Sequence, residues 1–234
     1  GERDRSDSLY LAHFGELDPD YLNAYGEYLM EKRSFPGARA LYDSILASAA
    51  TRLSDTIFYN WALVPFQAGE YDTAQERFRF FAGQFPHSGK HGSVSFKIAT
   101  IKYQLGDFDS AGFYYLKSVS DSSLRHDALK NALISHKKAE AWEEVIAAGM
   151  RFLDLALPRE NSEASFEIGY AYLRLGNFRK AVKYFRTAVE SDPQPEFHYW
   201  LAETYLGRGD FIRALYHYRA IIAKFPKDEM WGQI

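Results

Sequence analysis

The chain has 234 residues, a net charge of −3, no cysteine and 47% hydrophobic residues, so it can bury a core. Without cysteine, disulfide scaffolds, thiolate zinc sites and cysteine nucleophiles are excluded. No basic run gives the footprint of a nucleic-acid binder, and no stretch is apolar for long enough to span a bilayer.

In chain order, Leu9, Tyr10, His13, Phe14 and Leu17 fall at helical spacing within Ser6–Leu17. Residues 1–18 therefore read as a flanking helix or cap. A hairpin pattern begins near Pro19, with Phe35, Ala38, Tyr42 and Ile45 on its second helix. From Asp55 it sharpens around the turn Gly69-Glu70-Tyr71-Asp72-Thr73-Ala74. The same turn returns as Gly106-Asp107-Phe108-Asp109-Ser110-Ala111 in a unit starting near Gly92. A weaker unit near His126 has Glu140 in place of the turn glycine, with Trp142, Val145, Gly149 and Phe152 beyond it. Two strong units start at Ser162 and Pro195, turning at Gly176-Asn177-Phe178 and Gly209-Asp210-Phe211. Met230, Trp231 and Ile234 in the tail 229–234 read as a short cap or the start of another helix.

Recurrence at roughly 34 residues is the sign of a repeat array, in which each unit buries its core against its neighbours. In the fifth unit Ile168, Gly169, Tyr172, Ala181, Phe185 and Ala188 keep the i, i+3, i+4 spacing of packed helices. Leu201, Ala202, Tyr205, Ala214, Tyr218 and Ile221 do so in the sixth. Small residues such as Gly169 and Ala181 predict close helix approach, and Pro86, Pro193 and Pro226 predict helix ends. Pro65 falls inside a first helix and predicts a bend, worth about 3 kcal/mol where nothing adapts to it. Glu140 and Gly149 predict a looser fourth hairpin.

This pattern resembles the tetratricopeptide repeat family over about residues 19–227, with the array itself at 19–228. The resemblance implies an all-α, right-handed solenoid of about six hairpins whose first helices line a concave wall. It implies a partner-binding groove formed by Tyr59, Leu63 and Phe66, by Phe96 and Tyr103, and by Lys130, Lys137 and Lys138. Phe166, Tyr170, Arg174 and Tyr199 complete it. The basic residues would face a partner's carboxylates. Asn23 and Glu27 stand where chaperone-binding members carry a Lys/Asn clamp, so a chaperone-tail adaptor is not expected.

Catalytic and metal signals are missing. His87 and His91 are four apart but read as a loop pair, and His126, His136, His198 and His217 read as helix surface or groove wall. Asp18, Asp20, Asp107 and Asp109 read as turn and cap residues. The expectation is a non-enzymatic scaffold that binds a protein's peptide or helix, without cofactor, metal or nucleic acid. One alternative is a subunit that self-associates or packs into a large complex through its convex face or ends. Another is a regulatory module of a larger enzyme. The loops Phe85-Pro86-His87-Ser88 and Phe225-Pro226-Lys227-Asp228 resemble those of bacterial envelope repeat proteins. The periplasm or cell envelope is therefore the expected location, with the cytoplasm as the alternative.

Overall fold

A computed structural model describes residues 18–48, 53–155 and 158–225. The predicted flanking helix at 6–17 and the predicted tail after Phe225 lie outside these residues. Among the described residues the chain forms twelve α-helices and no strand. They are α1 Pro19–Glu31, α2 Phe35–Ser48, α3 Asp55–Ala68, α4 Tyr71–Gln84, α5 His91–Gln104 and α6 Phe108–Ser118. The rest are α7 Arg125–Lys138, α8 Trp142–Leu153, α9 Pro158–Arg174, α10 Phe178–Ser191, α11 Pro195–Gly207 and α12 Phe211–Lys224. The architecture is an all-α solenoid of helical hairpins. It divides into two compact units, residues 1–101 and 102–234, with the division inside α5.

One turn recurs between paired helices, and its backbone explains the repeated glycine. Gly69, Gly106, Gly176 and Gly209 have φ between 71 and 81°. Each lets its own N–H and the next reach back into the preceding helix. Gly106 donates to the Tyr103 carbonyl at 3.1 Å and Asp107 to that of Lys102 at 2.9 Å, the double bond of a Schellman cap. Arg33 (φ 58°) and Glu140 (φ 57°) hold the same left-handed conformation in the first and fourth hairpins. Glu140 donates to the Lys137 carbonyl at 3.1 Å, and Ala141 to His136 at 2.9 Å. Geometry is thus kept where the glycine is lost, at the steric cost a Cβ meets in that region. The second helices then start on a side-chain cap from Asp107, Asn177 or Asp210 in three of the turns.

Six residues in equivalent positions near the start of the second helices are fully shielded from solvent or nearly so: Ala38, Ala74, Ala111, Val145, Ala181 and Ala214. The first unit centres on Tyr42, Ile57, Val64, Phe78 and Phe81, and the second on Phe166, Ile168, Phe185, Phe197 and Leu201. Close approach is real: a Cβ on Gly26 would lie 2.6 Å from the Tyr42 ring, and one on Gly169 2.8 Å from Phe185. The fourth hairpin departs from the looseness expected of it. A Cβ on Gly149 would meet Ile168 at 2.6 Å, so this glycine lets α9 pack tightly on α8.

Pro65 stays inside α3, its neighbours compensating for what it lacks. Its missing N–H leaves the Trp61 carbonyl without the donor four residues on. Arg77 Nη1, from α4, donates to that carbonyl at 3.0 Å. The same guanidinium lies 4.2 Å from the centre of the Trp61 ring, and the Trp61 indole N–H donates to Asp43 at 2.9 Å.

Candidate functional site

The predicted groove residues divide between the two units. In the first unit Tyr59, Leu63, Phe66 and Phe96 are half-buried. Tyr59 leans on Phe78 and Phe81 with ring centres 6.0 and 6.1 Å away. Phe66 rests against Phe78 and carries the Lys97 ammonium 5.0 Å above its ring. Burial alone lowers the pKa of Lys97. These rings show one edge to solvent and give the other to the core. Beside them, Asn60 donates through its amide to Asn23 at 2.9 Å and to Glu27 at 2.8 Å. The residues at the clamp positions of the first repeat thus satisfy one another.

In the second unit Tyr103, Lys137, Tyr170 and Tyr199 are half-buried, whereas Lys130, Lys138 and Arg174 are exposed. Phe166 is a correction. It is 5% exposed, stacked on Phe197 at 4.7 Å and packed against Phe185, because its ring fills the gap between α9, α10 and α11. The open rings are others. Tyr170 meets Trp142 at 5.8 Å and Trp200 edge-on at 4.9 Å, making an aromatic ladder across α8, α9 and α11.

The expected basic cluster is also rearranged. Lys137 Nζ donates to Glu167 at 2.6 Å, and Lys138 sits above Tyr103 and Phe108. Arg174 lies 4.7 Å over the Trp142 ring and 3.5 Å from Glu140. Three of the four cations therefore have internal partners, leaving Lys130.

Between α7, α9 and α11 lies a cavity of about 570 Å³. Lys130, Ile134 and Lys137 form one wall, Glu163 and Glu167 another, and Glu196 its edge on α11, with Phe166 and Phe197 below. Glu163 and Glu167 are one helical turn apart and share a face of α9. Burial raises the pKa of the Glu167 carboxyl, Lys137 opposes this, and Glu196 and Glu163 add to the rise. Its second oxygen, Oε2, is buried without a hydrogen-bond partner. The three carboxylates and Trp200 escaped the reading of the sequence. An i, i+4 acidic pair in the middle of a first helix was the available signal for Glu163 and Glu167.

His136 and His198, expected on surfaces, are each 3% exposed. His136 fills the space left by Gly112, where a Cβ would come within 2.4 Å of the imidazole. His198 and His217 place their Nδ1 atoms 3.0 Å apart, while His198 Nε2 is buried without a partner. A bare lone pair is cheaper to bury than an orphaned N–H, so His198 donates from Nδ1 to His217. His91 opens α5, its Nε2 lying 2.7 Å from the Phe85 carbonyl. Among the described residues no group of three or more histidine or acidic side chains could hold a metal, and no helix is long and apolar enough to cross a membrane.

Paired helices with a common turn, a shared small-residue contact and a ring-lined cavity between first helices define a class of protein built to present surfaces. Residues 166–229 match the tetratricopeptide repeat family model, and the hairpins outside that stretch repeat its form. No curated protein is detectably similar in sequence. Similar solved structures include a MamA protein (16% identity, TM-score 0.60), covering 76% of this chain and 94% of that one. YrrB, described as a repeat protein with an unusual peptide-binding site, has 16% identity and a TM-score of 0.60 over 82% of this chain and 94% of its own. The C-terminal part of a repeat protein from Cytophaga hutchinsonii has 16% identity and a TM-score of 0.62 over 86% and 78%. At these identities the likeness is one of fold.

Proposed function

We propose that the protein is a non-catalytic scaffold that holds a peptide or helical segment of a partner protein against its first helices. The observation that carries this reading is the cavity between α7, α9 and α11, of a volume suited to side chains of a guest. The Trp142–Tyr170–Trp200 ladder supports it, because rigid rings supply contact area at small entropic cost. YrrB's described use of a similar fold for peptide binding is consistent with it. Tyr170, Tyr199, Lys130 and Lys137 are the proposed contacts in the second unit, and Tyr59, Phe66 and Phe96 in the first.

A photo-crosslinking residue placed at Tyr199, and separately at Phe113 on α6, tests the assignment in the native host. Phe113 is 61% exposed and belongs to a second helix. A partner trapped from Tyr199 and not from Phe113 is expected, and the reverse pattern refutes the reading. We extend the proposal to a bacterial envelope setting on the likeness of the loops after Gln84 and Lys224 to those of envelope repeat proteins. Fractionation of the host would refute that part by finding the protein in the cytosol alone.

Self-association is a second reading, favoured by the outer face of α12. There Phe211, Ile212 and Tyr216 are 69, 85 and 68% exposed, a larger apolar surface than isolated side chains explain. Sedimentation over a range of concentrations decides it, a constant monomer mass excluding it.

A further inference from the structure

We propose that the outer face of α10 and α12, the second helices of the last two hairpins, is an attachment surface for an anionic membrane. Its cations would meet lipid phosphates, and its projecting apolar side chains would enter the boundary between headgroups and acyl chains. This surface is separate from the first helices that hold a guest in the scaffold reading.

The first observation is a local excess of positive charge in a chain whose net charge is −3. α10 carries Arg179, Lys180, Lys183 and Arg186 against Glu190 alone. α12 carries Arg213, Arg219 and Lys224 and no acid. Other second helices are balanced or acidic: Asp72 and Glu76 answer Arg77 and Arg79 on α4, and Glu143 and Glu144 outnumber Arg151 on α8. Glu190 is already paired with Arg186 at 3.2 Å, and Asp210, before α12, with Arg213 at 2.7 Å. Asp192 lies past the far end of α10, where Gln194 donates to it at 2.9 Å. Arg179, Lys183 and Arg219 are exposed, and among the described residues they have no carboxylate partner.

The second observation is apolar and independent of the first. Ala181 and Ala214 are buried at matching positions, so α10 and α12 turn the same face outward. On that face Ile212 and Tyr216 stand where α10 has Arg179 and Lys183, and Arg219 stands where it has Arg186. Ile212 and Tyr216 project into solvent, and Phe211 and Leu215 widen the exposed strip along α12. Projecting aliphatic and aromatic side chains beside a row of Arg and Lys are the chemistry of a helix that lies in a bilayer interface. There the apolar parts sink in while the charged heads stay at the phosphates, and a tyrosine keeps its ring in and its hydroxyl wet.

The two observations together favour a membrane over other occupants. An acidic protein would match the cations, yet it would need recesses for side chains that project instead of lying in a groove. A second copy docked on the same face would cover the apolar strip and set the cations against their like. An anionic bilayer answers both features at once: each Lys or Arg near its surface adds attraction, and the interface accepts projecting side chains without a preformed recess.

The test is flotation of the full chain with vesicles of phosphatidylcholine alone and with vesicles containing about one third phosphatidylglycerol. Binding to the anionic vesicles about tenfold above the neutral ones, and weakened severalfold by high salt, is expected. Arg179→Gln with Lys183→Gln and Arg219→Gln should remove most of that preference. Ile212→Ser with Tyr216→Ser should weaken anionic binding about fivefold or more, and neither set should lower the melting temperature, since all five side chains stand in solvent. The chain has no cysteine, so a polarity-sensitive dye on Ile212→Cys reports this surface alone. It should brighten on anionic vesicles, and the same dye on Phe113→Cys of α6 should not. Equal binding to both vesicles, binding to neither, or binding indifferent to both sets of substitutions overturns the proposal. Retention on immobilised polyglutamate without vesicle binding would give the surface to an acidic protein, and a dimer abolished by the serine substitutions would give it to a second copy. Either result also overturns the proposal. None of these outcomes touches the first helices, so the scaffold reading stands or falls by its own crosslinking test.

Discussion

Replacing Arg77 with methionine tests whether Pro65 is tolerated because a side chain stands in for its missing N–H. Arg77 is 13% exposed at its side chain, donates to the Trp61 carbonyl at 3.0 Å and stacks on the Trp61 ring at 4.2 Å. Methionine keeps much of the stem's packing and removes both polar contacts. A hydrogen bond from a charged group to a partly buried carbonyl contributes about 1.5–3 kcal/mol, and the cation–ring contact about 0.5–1 kcal/mol. The ion pair with Asp43, at 3.6 Å and 51% exposed on the acid side, adds little. Burial lowers the Arg77 pKa, so desolvation of the guanidinium offsets part of the gain. The net expectation for Arg77→Met is a loss of about 2 kcal/mol, or roughly 8–16 °C in the transition that melts the first unit. The decisive measurement is a double-mutant cycle with Pro65→Ala, by urea denaturation followed through tryptophan fluorescence and circular dichroism. Alanine restores an N–H that can reach the Trp61 carbonyl, so Arg77→Met should cost about 1 kcal/mol less in that background. Equal costs in both backgrounds would refute the compensation argument, whatever the size of the single effects.

Glu140→Gly should raise stability by about 0.5–1 kcal/mol in chemical denaturation, since it relieves a left-handed Cβ and loses only an exposed ion pair with Arg174. An unchanged or lowered midpoint would count against strain at that turn. Gly149→Ala should lower stability by about 1–3 kcal/mol, because its methyl would press on Ile168 at 2.6 Å; a neutral result would mean that the α8–α9 contact yields easily. The histidine pair predicts acid sensitivity in the second unit. Burial, with His198 and Arg186 alongside, lowers the His217 pKa to about 4, and burial with Lys224 also lowers that of His198. Between the unfolded value of about 6.5 and about 4 the unfolded chain binds a proton that the folded chain refuses, so stability falls as pH drops through that window. The slope should approach about 1.4 kcal/mol per pH unit and flatten in His217→Phe; the same slope in that variant would assign the sensitivity elsewhere.

Much of the fold was legible because repetition supplies what a single sequence usually lacks, several versions of one environment. Ala38, Ala74, Ala111, Ala181 and Ala214 mark one buried contact five times, and four turn glycines mark one backbone conformation. Glu140 shows the limit of reading composition in place of constraint. Its loss of glycine suggested a looser hairpin, yet the flanking helices hold the φ at 57° and the cap bonds survive. Gly149 failed in the same way, since a small residue in a large residue's place signals looseness only if the neighbour does not move in. Here Ile168 does.

The candidate site was less legible, for a reason rooted in how charge is read. The first-helix positions were legible, and Lys130, Ile134 and Lys137 do line the cavity. Their electrostatic meaning depends on what faces them from helices some thirty residues further on. Lys137 looks like an anchor for a guest carboxylate until Glu167 is set at 2.6 Å from it. Glu196, in the first turn of α11, looks like a dipole partner until it is found with Glu163 around the same space. In a solenoid the residues that face one another come from adjacent repeats at matching positions. The sign of such a surface is therefore a property of pairs of repeats, and it is read only by laying neighbouring first helices side by side.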